Sequence, residues 1–266
     1  PDGVPVAMTD VPVGIARTEP KWAGRHEVRE SEALHLKAIR RAKKLIYFEN
    51  QYFTSPVIAA ALAERLAEPD GPEVVVVSTG KSPSWFDSMT MDTARAEVLH
   101  RLEAADRNNR FYAFSPRTEG GERIIVHAKL TIVDDRVLRI GSTNLNNRSM
   151  GLDTECDVSI EPEDPAGRAF VRDYRHRTIG HWLGLGGEDF AQVEAVMGGS
   201  MGKAIESFGT ERLHPLGAEP ATRIQRAIAE FQLGDPSSST DAWRPWKRLH
   251  RFRRTRPASE GGEAPG

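Results

Sequence analysis

The chain has 266 residues, 39% hydrophobic and 28% charged, which is ample material for one or two folded domains and excludes a wholly disordered chain. No apolar run approaches the roughly 20 residues of a membrane-spanning helix, and no signal segment follows Pro1. A net charge of -2 at pH 7 argues against nucleic-acid binding through bulk charge, and the lone cysteine, Cys156, excludes a disulfide framework or a multi-cysteine zinc site.

Short apolar runs alternate with helical patterns, which predicts an α/β fold, a mixed sheet flanked by helices. Val11 to Arg17 reads as a first strand. Glu30 to Lys44 reads as a helix, with Leu34, Ala38, Ile39 and Ala42 at helical spacing. Leu45 to Phe48 predicts a buried strand, followed by a loop from Glu49 to Ser55. Pro56, at a position where a missing N–H costs nothing, opens a helix to about Leu66. The valines within Glu73 to Ser78 predict a strand covered on both faces. Asp87 to Asp106 reads as an amphipathic helix and Phe111 to Phe114 as a strand. From Arg123 the pattern tightens into a hairpin. Its long strand covers Ile124 to Val133, Asp134-Asp135 supplies the turn, and Val137 to Ile140 returns antiparallel to Gly141. Asp153 to Ile160 predicts a last strand and Pro165 to about Leu183 a helix. Beyond Gly184, glycine clusters separate weaker helical stretches near Phe190 to Met197 and Ala221 to Phe231. These textures divide the chain into a main domain over 1–185, a helical extension over 186–234 and a basic, disordered tail over 235–266.

The chemistry concentrates on the hairpin. Residues two apart on a strand share a face, so His127 and Lys129 project side by side. The return strand brings Gly141, Ser142 and Asn144 towards them, while Asp134 sits beside the turn. Such a set suits an anionic tetrahedral group: the lysine is a point charge for phosphate oxygens, and Asn144 and Ser142 are oriented donors. A histidine, titrating near pH of about 6.5, serves as nucleophile or proton donor. Gly141 lets the backbone approach a ligand closely. No metal-binding pattern of the HExxH or DxDxDG kind occurs, so no metal or cofactor is expected.

The spacing His-x-Lys, four residues, Asp, six residues, Gly-Ser-x-Asn resembles the HKD signature of the phospholipase D superfamily. Two further stretches carry the resemblance: Ile46-Tyr47-Phe48-Glu49-Asn50-Gln51-Tyr52-Phe53, and Asn144 to Asp157, which is similar to bacterial members. It spans residues 10 to 185. The resemblance implies one HKD half of a pseudo-two-fold sandwich. In such enzymes two halves face each other; one histidine attacks phosphorus to form a phosphohistidine and the other protonates the leaving alcohol.

The full His-x-Lys-x4-Asp pattern occurs once, so the second half comes either from the same longer chain, which the Pro1 start and the Glu-Asn-Gln-Tyr-Phe block favour, or from a dimer partner. By resemblance His127 takes the general-acid role, with Lys129 and Asp134 completing the catalytic motif. Glu155 orients the opposite histidine, with Asp153 and Asp157 as its alternatives. Asn144 and Ser142 hold the phosphate, and Gln51 and Tyr52 line the cleft. The implied activity is hydrolysis or transphosphatidylation of phospholipid headgroup esters at a membrane surface. The alternatives are a superfamily nuclease, a cardiolipin synthase-type transferase or an inactive isolated half. Two features remain open between roles. Trp85, Phe86, Met89 and Met91 form either core or an apolar rim for acyl chains. The stretch Arg244 to Arg256 touches an anionic surface, binds nucleic acid or is solvated linker. Cys156 reads as a small buried hydrophobe.

Overall fold

A computed structural model describes residues 6, 8–21, 24–82, 88–217 and 234–236. Its centre is a mixed sheet of β1 (Val13–Glu19), β2 (Val28–Arg29), β3 (Leu45–Asn50), β4 (Glu73–Ser78), β5 (Phe111–Pro116), β6 (Lys129–Val133), β7 (Val137–Gly141), β8 (Glu155–Ile160) and β9 (Leu213–Pro215). The order is β2-β1-β8-β7-β6-β3-β4-β5-β9. Only β3–β4 and β4–β5 pair in parallel among the described strands.

Period-two alternation sorts the strands' side chains onto two faces. Ile46, Phe48, Val74 and Val76 point to one, where α1 (Glu30–Arg41), α2 (Pro56–Ala67) and α3 (Thr93–Ala105) supply Ala38, Ile39, Leu62 and Leu99. Leu45, Tyr47, Val75, Val77 and Ile132 point to the other. There α5 (Pro165–Leu183), α6 (Gly187–Val196) and α7 (Met201–Ser207) contribute Val171, Ile179, Phe190 and Ile205. A short helix, α4 (Asn147–Gly151), follows the β7 loop. Covering β4 on both faces is what its valine run demands: Val74 to Val77 are each fully buried.

Local chemistry sets the helix ends. Ser55 accepts the Ile58 N–H at the start of α2, with Pro56 at its first position. Asp164 does the same for Gly167 at the start of α5. At the other end of α5, Gly184 takes a left-handed conformation (φ 74°) that lets Leu185 N reach the Gly180 carbonyl.

The elements agree with the sequence within a few residues, with four differences. The long strand expected over Ile124 to Val133 is a strand only from Lys129, so His127 lies ahead of it. The helix expected from Asp87 begins instead as one wide π-type turn, Ser88–Asp92. β7 ends beside Asp157 on β8: a Cβ at Gly141 would overlap the Asp157 carboxylate, so the glycine serves strand contact here. Strands β2 and β9 and helices α4 and α7 carry no strong sequence pattern and went unpredicted. Met91 is buried and belongs to the core, whereas Trp85, Phe86 and the Met89 side chain, the stretches Ala221 to Phe231 and Arg244 to Arg256, and the tail from residue 237 lie outside what is described. Asp235, assigned by composition to the tail, is buried. Among the described residues no helix is long and apolar enough to cross a membrane.

Candidate active site

The predicted polar residues gather where β3 ends and β6 begins. Lys129 opens β6 opposite Asn50, the last residue of β3. Its ammonium donates to Gln51 Oε1 at 3.1 Å and to the His127 carbonyl at 2.9 Å. Half-burial lowers the Lys129 pKa, and the charge of nearby Glu155 acts in the opposite direction. His127 is exposed, and its ring makes no hydrogen bond among the described residues. Although His127 precedes the strand, the alternation survives: Val126, Ala128 and Leu130 pack towards α5–α7, which leaves His127 and Lys129 on the other side. Thr79, at the end of β4, holds this extended segment through Val126.

On the neighbouring strands, the Ser142 hydroxyl donates to the Glu155 carboxylate, and it also accepts the Cys156 N–H at 3.0 Å. Glu155 therefore sits beside the Ser142 loop and within electrostatic reach of Lys129. Asp153 is not on that strand; it pairs with Arg148 at 3.0 Å. Cys156, expected to be buried, is exposed on the opposite face of β8.

Asn144 is fixed through its neighbours. The Thr143 carbonyl accepts from Asn50 Nδ2 (3.4 Å) and Arg139 Nη2 (3.3 Å), and Leu145 N donates to Asn50 Oδ1 (3.0 Å). The Leu145 carbonyl accepts both Thr54 N and Ser55 N at 2.9 Å, which ties this loop to the one carrying Gln51 and Tyr52. Tyr52 N donates to Asn50 Oδ1 at 3.3 Å. Among the described residues, the buried Asn144 Oδ1 has no partner.

Beneath this surface lies a buried ion pair, Arg139–Asp157, at 2.6 Å. Asp157 also accepts Thr143 N (3.2 Å) and Thr143 Oγ1 (2.6 Å). Burial alone would raise the Asp157 pKa, but Arg139 and the Thr143 hydroxyl outweigh it and hold the group ionised below the usual carboxylate range. His35, on α1, reaches the same cluster through Thr131. Burial, reinforced by the Arg139 charge, lowers its pKa to about 3, so the ring is neutral and its Nδ1 meets the Ser31 carbonyl at 2.7 Å. His35-Leu36-Lys37 repeats the His-x-Lys spacing, but on a helix. Positions two apart diverge there, His35 facing the core and Lys37 the solvent.

Asp134, grouped with the catalytic candidates, lies beyond the far end of β6 from Lys129. Its carboxylate accepts Lys43 N (2.7 Å), Lys44 N (2.7 Å) and Leu45 N (2.9 Å). It pins the start of β3 to a turn in which Asp134 and Asp135 both have positive φ. Sequence reasoning passed over Asn50, Thr79 and Arg139 as site-supporting residues. The legible signal for Arg139 was a charge inside an apolar strand, matched by Asp157 on the next. Among the described residues no group of three or more His, Cys, Asp or Glu side chains is placed to hold a metal ion.

This convergence of a His-x-Lys pair with a Gly-Ser-x-Asn loop on one end of a mixed sheet agrees with a family model described as "Cardiolipin synthase, PLD-like domain", which matches residues 35–177. The chain belongs to this phospholipase D-like family. It is 25% identical over 189 residues to phospholipase D2 of Bos taurus, across 56% of this chain and 20% of that protein. With cardiolipin synthase A of Pseudomonas putida it shares 30% identity over 194 residues, across 73% of this chain and 33% of that protein. The chain thus spans only a fifth to a third of the length of these relatives. Among solved structures, phosphatidylserine synthase of Haemophilus influenzae Rd KW20 superposes with a TM-score of 0.49 at 15% identity, covering 91% of this chain and 45% of that one.

Proposed function

We propose that the chain is one half of a phospholipase D-type active site acting on the phosphodiester of phospholipid headgroups. The observation that carries this reading is the placement of Lys129 between Gln51 and the His127 backbone, with the Glu155–Ser142 pair close enough to act on its charge. In this reading Lys129 and Asn144 hold the phosphate oxygens, with Ser142, Gln51 and Tyr52 lining the cleft. The histidine of the second half attacks phosphorus; an N–P bond forms and the P–O bond to the headgroup alcohol breaks. His127 donates a proton to that departing oxygen, then takes one from the water that cleaves the N–P bond. Glu155 orients the histidine of the opposite half. Asp134 acts through the fold.

A second half is required, because the chain holds one complete motif. The outer face of β7, β8 and β1 supports such a partner: Val13, Ile15, Ile140 and Val158 form an exposed apolar row on paired strands. The row leads along β8 to Cys156, on the sheet face opposite Glu155, His127 and Lys129. The second reading is transfer to another lipid's alcohol instead of water, favoured by the 30% identity to a cardiolipin synthase across 73% of this chain.

The test uses the full-length protein on vesicles of phosphatidylcholine and phosphatidylglycerol. Release of headgroup with formation of phosphatidic acid supports hydrolysis; a product carrying two phosphatidyl groups supports transfer. His127→Ala should abolish both, and retained turnover in that variant refutes the assignment.

A further inference from the structure

The two loops that carry Gln51, Tyr52 and Asn144 are closed by a residue from far downstream. Asp235, 181 positions beyond Thr54, accepts the Thr54 hydroxyl at 2.8 Å. The same carboxylate accepts Asn147 N at 2.9 Å and Arg148 N at 2.8 Å, the first two amides of α4, and the Asp235 carbonyl accepts Asn147 Nδ2 at 3.2 Å. One side chain, only 4% exposed, therefore grips both loops at their outer ends. Gly234 makes this approach possible: a Cβ there would overlap the Thr90 side chain. Residues 234–236 also lie outside the stretch matched by the family model, 35–177, so that match does not account for them.

The grip has a route to the site. Thr54 lies two residues after Tyr52 and three after Gln51, the acceptor for Lys129. Asn147 lies three residues after Asn144. Between these ends the loops are joined directly, by Thr54 N and Ser55 N to the Leu145 carbonyl and by Leu145 N to Asn50 Oδ1. Freeing Asp235 would leave Asn147 N and Arg148 N without their acceptor and the Thr54 hydroxyl without its own. Burial raises the Asp235 pKa, while the amides of Asn147 and Arg148 and the Thr54 hydroxyl draw it back down. The buried carboxylate is thus held by these donors.

We propose that Asp235 is a positioning residue of the phosphate site: residues 234–236 form a strap that locks the Gln51–Tyr52 loop to the Asn144 loop and so sets the geometry in which a phosphodiester is held. The inference rests on the reading of Lys129 and Asn144 as phosphate ligands.

The test compares full-length wild type with Asp235→Asn, Thr54→Val and Lys129→Ala. The readouts are amide hydrogen exchange and titration with inorganic phosphate. In Asp235→Asn the amides of Tyr52, Thr54, Ser55, Leu145, Asn147 and Arg148 should exchange at least tenfold faster while those of β3 and β6 stay unchanged. Phosphate affinity should fall at least fivefold. Thr54→Val, which removes one bond of the same strap and leaves Asp235 in place, should give the same pattern at smaller size, so a misfolded Asp235→Asn does not end the test. Unchanged exchange in these loops overturns the strap. Faster exchange with unchanged phosphate affinity overturns the positioning role. Wild type binding phosphate no better than Lys129→Ala refutes the underlying site reading, an outcome separable from the exchange data.

Discussion

The Thr79 hydroxyl satisfies both backbone groups of Val126, accepting its N–H at 3.1 Å and donating to its carbonyl at 3.3 Å. Val126 is buried and immediately precedes His127, so a side chain at the end of β4 holds in place the stretch from Val126 to Ala128, which joins no strand among the described residues. Replacing Thr79 by Val keeps the shape and strands two buried groups, at about 1–3 kcal/mol each. Turnover by the full-length protein should fall at least tenfold, with the fold retained by circular dichroism. Thr79→Ser, which keeps the hydroxyl, should stay within about threefold of wild type. Equal losses in both variants would show that packing, not the hydrogen bonds, matters.

His35 should impose an acid limit on stability. Its folded pKa of about 3 lies below the usual histidine value, so between these values the unfolded chain binds the extra proton. Stability is complete above a pH of about 6.5 and declines as pH falls towards the folded value, by on the order of 2 kcal/mol at pH 5. His35→Gln carries no such proton. The difference between the two proteins' urea-denaturation free energies should therefore change with pH over this range. A constant difference from pH 7 to 4.5 would contradict the burial of a neutral ring.

Breaking the buried pair should be costlier than removing it. Arg139→Met leaves Asp157 ionised and unpaired, and a loss of about 3–5 kcal/mol is expected. Combining it with Asp157→Asn should recover part of that loss. A double-mutant cycle by chemical denaturation measures the coupling; additivity would show that the two side chains do not act together.

Much of this was legible in the sequence because the local signals are strong. Pro56 and Pro165 mark helix starts, and both helices begin there. The valine run of β4 can only be satisfied by cover on both faces. Other features depend on tertiary contacts that leave weak local traces. The apolar alternation through Ile124 and Val126 looks like a strand, yet Ile124 makes a single backbone bond to β5, to the Pro116 carbonyl, and Val126 bonds the Thr79 side chain; the packing of Val126, Ala128 and Leu130 preserves the predicted facing of His127 and Lys129. Gly141 reads as room for a ligand, whereas the carboxylate of Asp157 occupies that approach. The site itself was visible as spacing, but its supports were not. Thr79, Asn50 and Asp235 meet their partners across 47 to 181 positions, and nothing in their own neighbourhoods announces it.

Asp134 should separate stability from ligand binding. Asp134→Ala removes the acceptor for the amides of Lys43, Lys44 and Leu45 and should lower stability by about 1–2 kcal/mol. Phosphate affinity and the pH profile of turnover should be unchanged at temperatures where the variant is folded. A shifted pH profile in a fully folded variant would return Asp134 to the chemistry.

The pairing of β1 with β8, Ile15 opposite Val158, sets an order of events as the chain is made. The parallel strands β3, β4 and β5 assemble from neighbouring segments, with α2 and α3 in the links between them. Strand β1 must wait until β8 has left the ribosome, roughly 140 residues later, before its backbone finds a partner on that side. During that interval the backbone groups of β1 on that side are open to strands of other chains. Any factor that covers this edge of β1 until β8 arrives would guard the chain against strand addition from its neighbours.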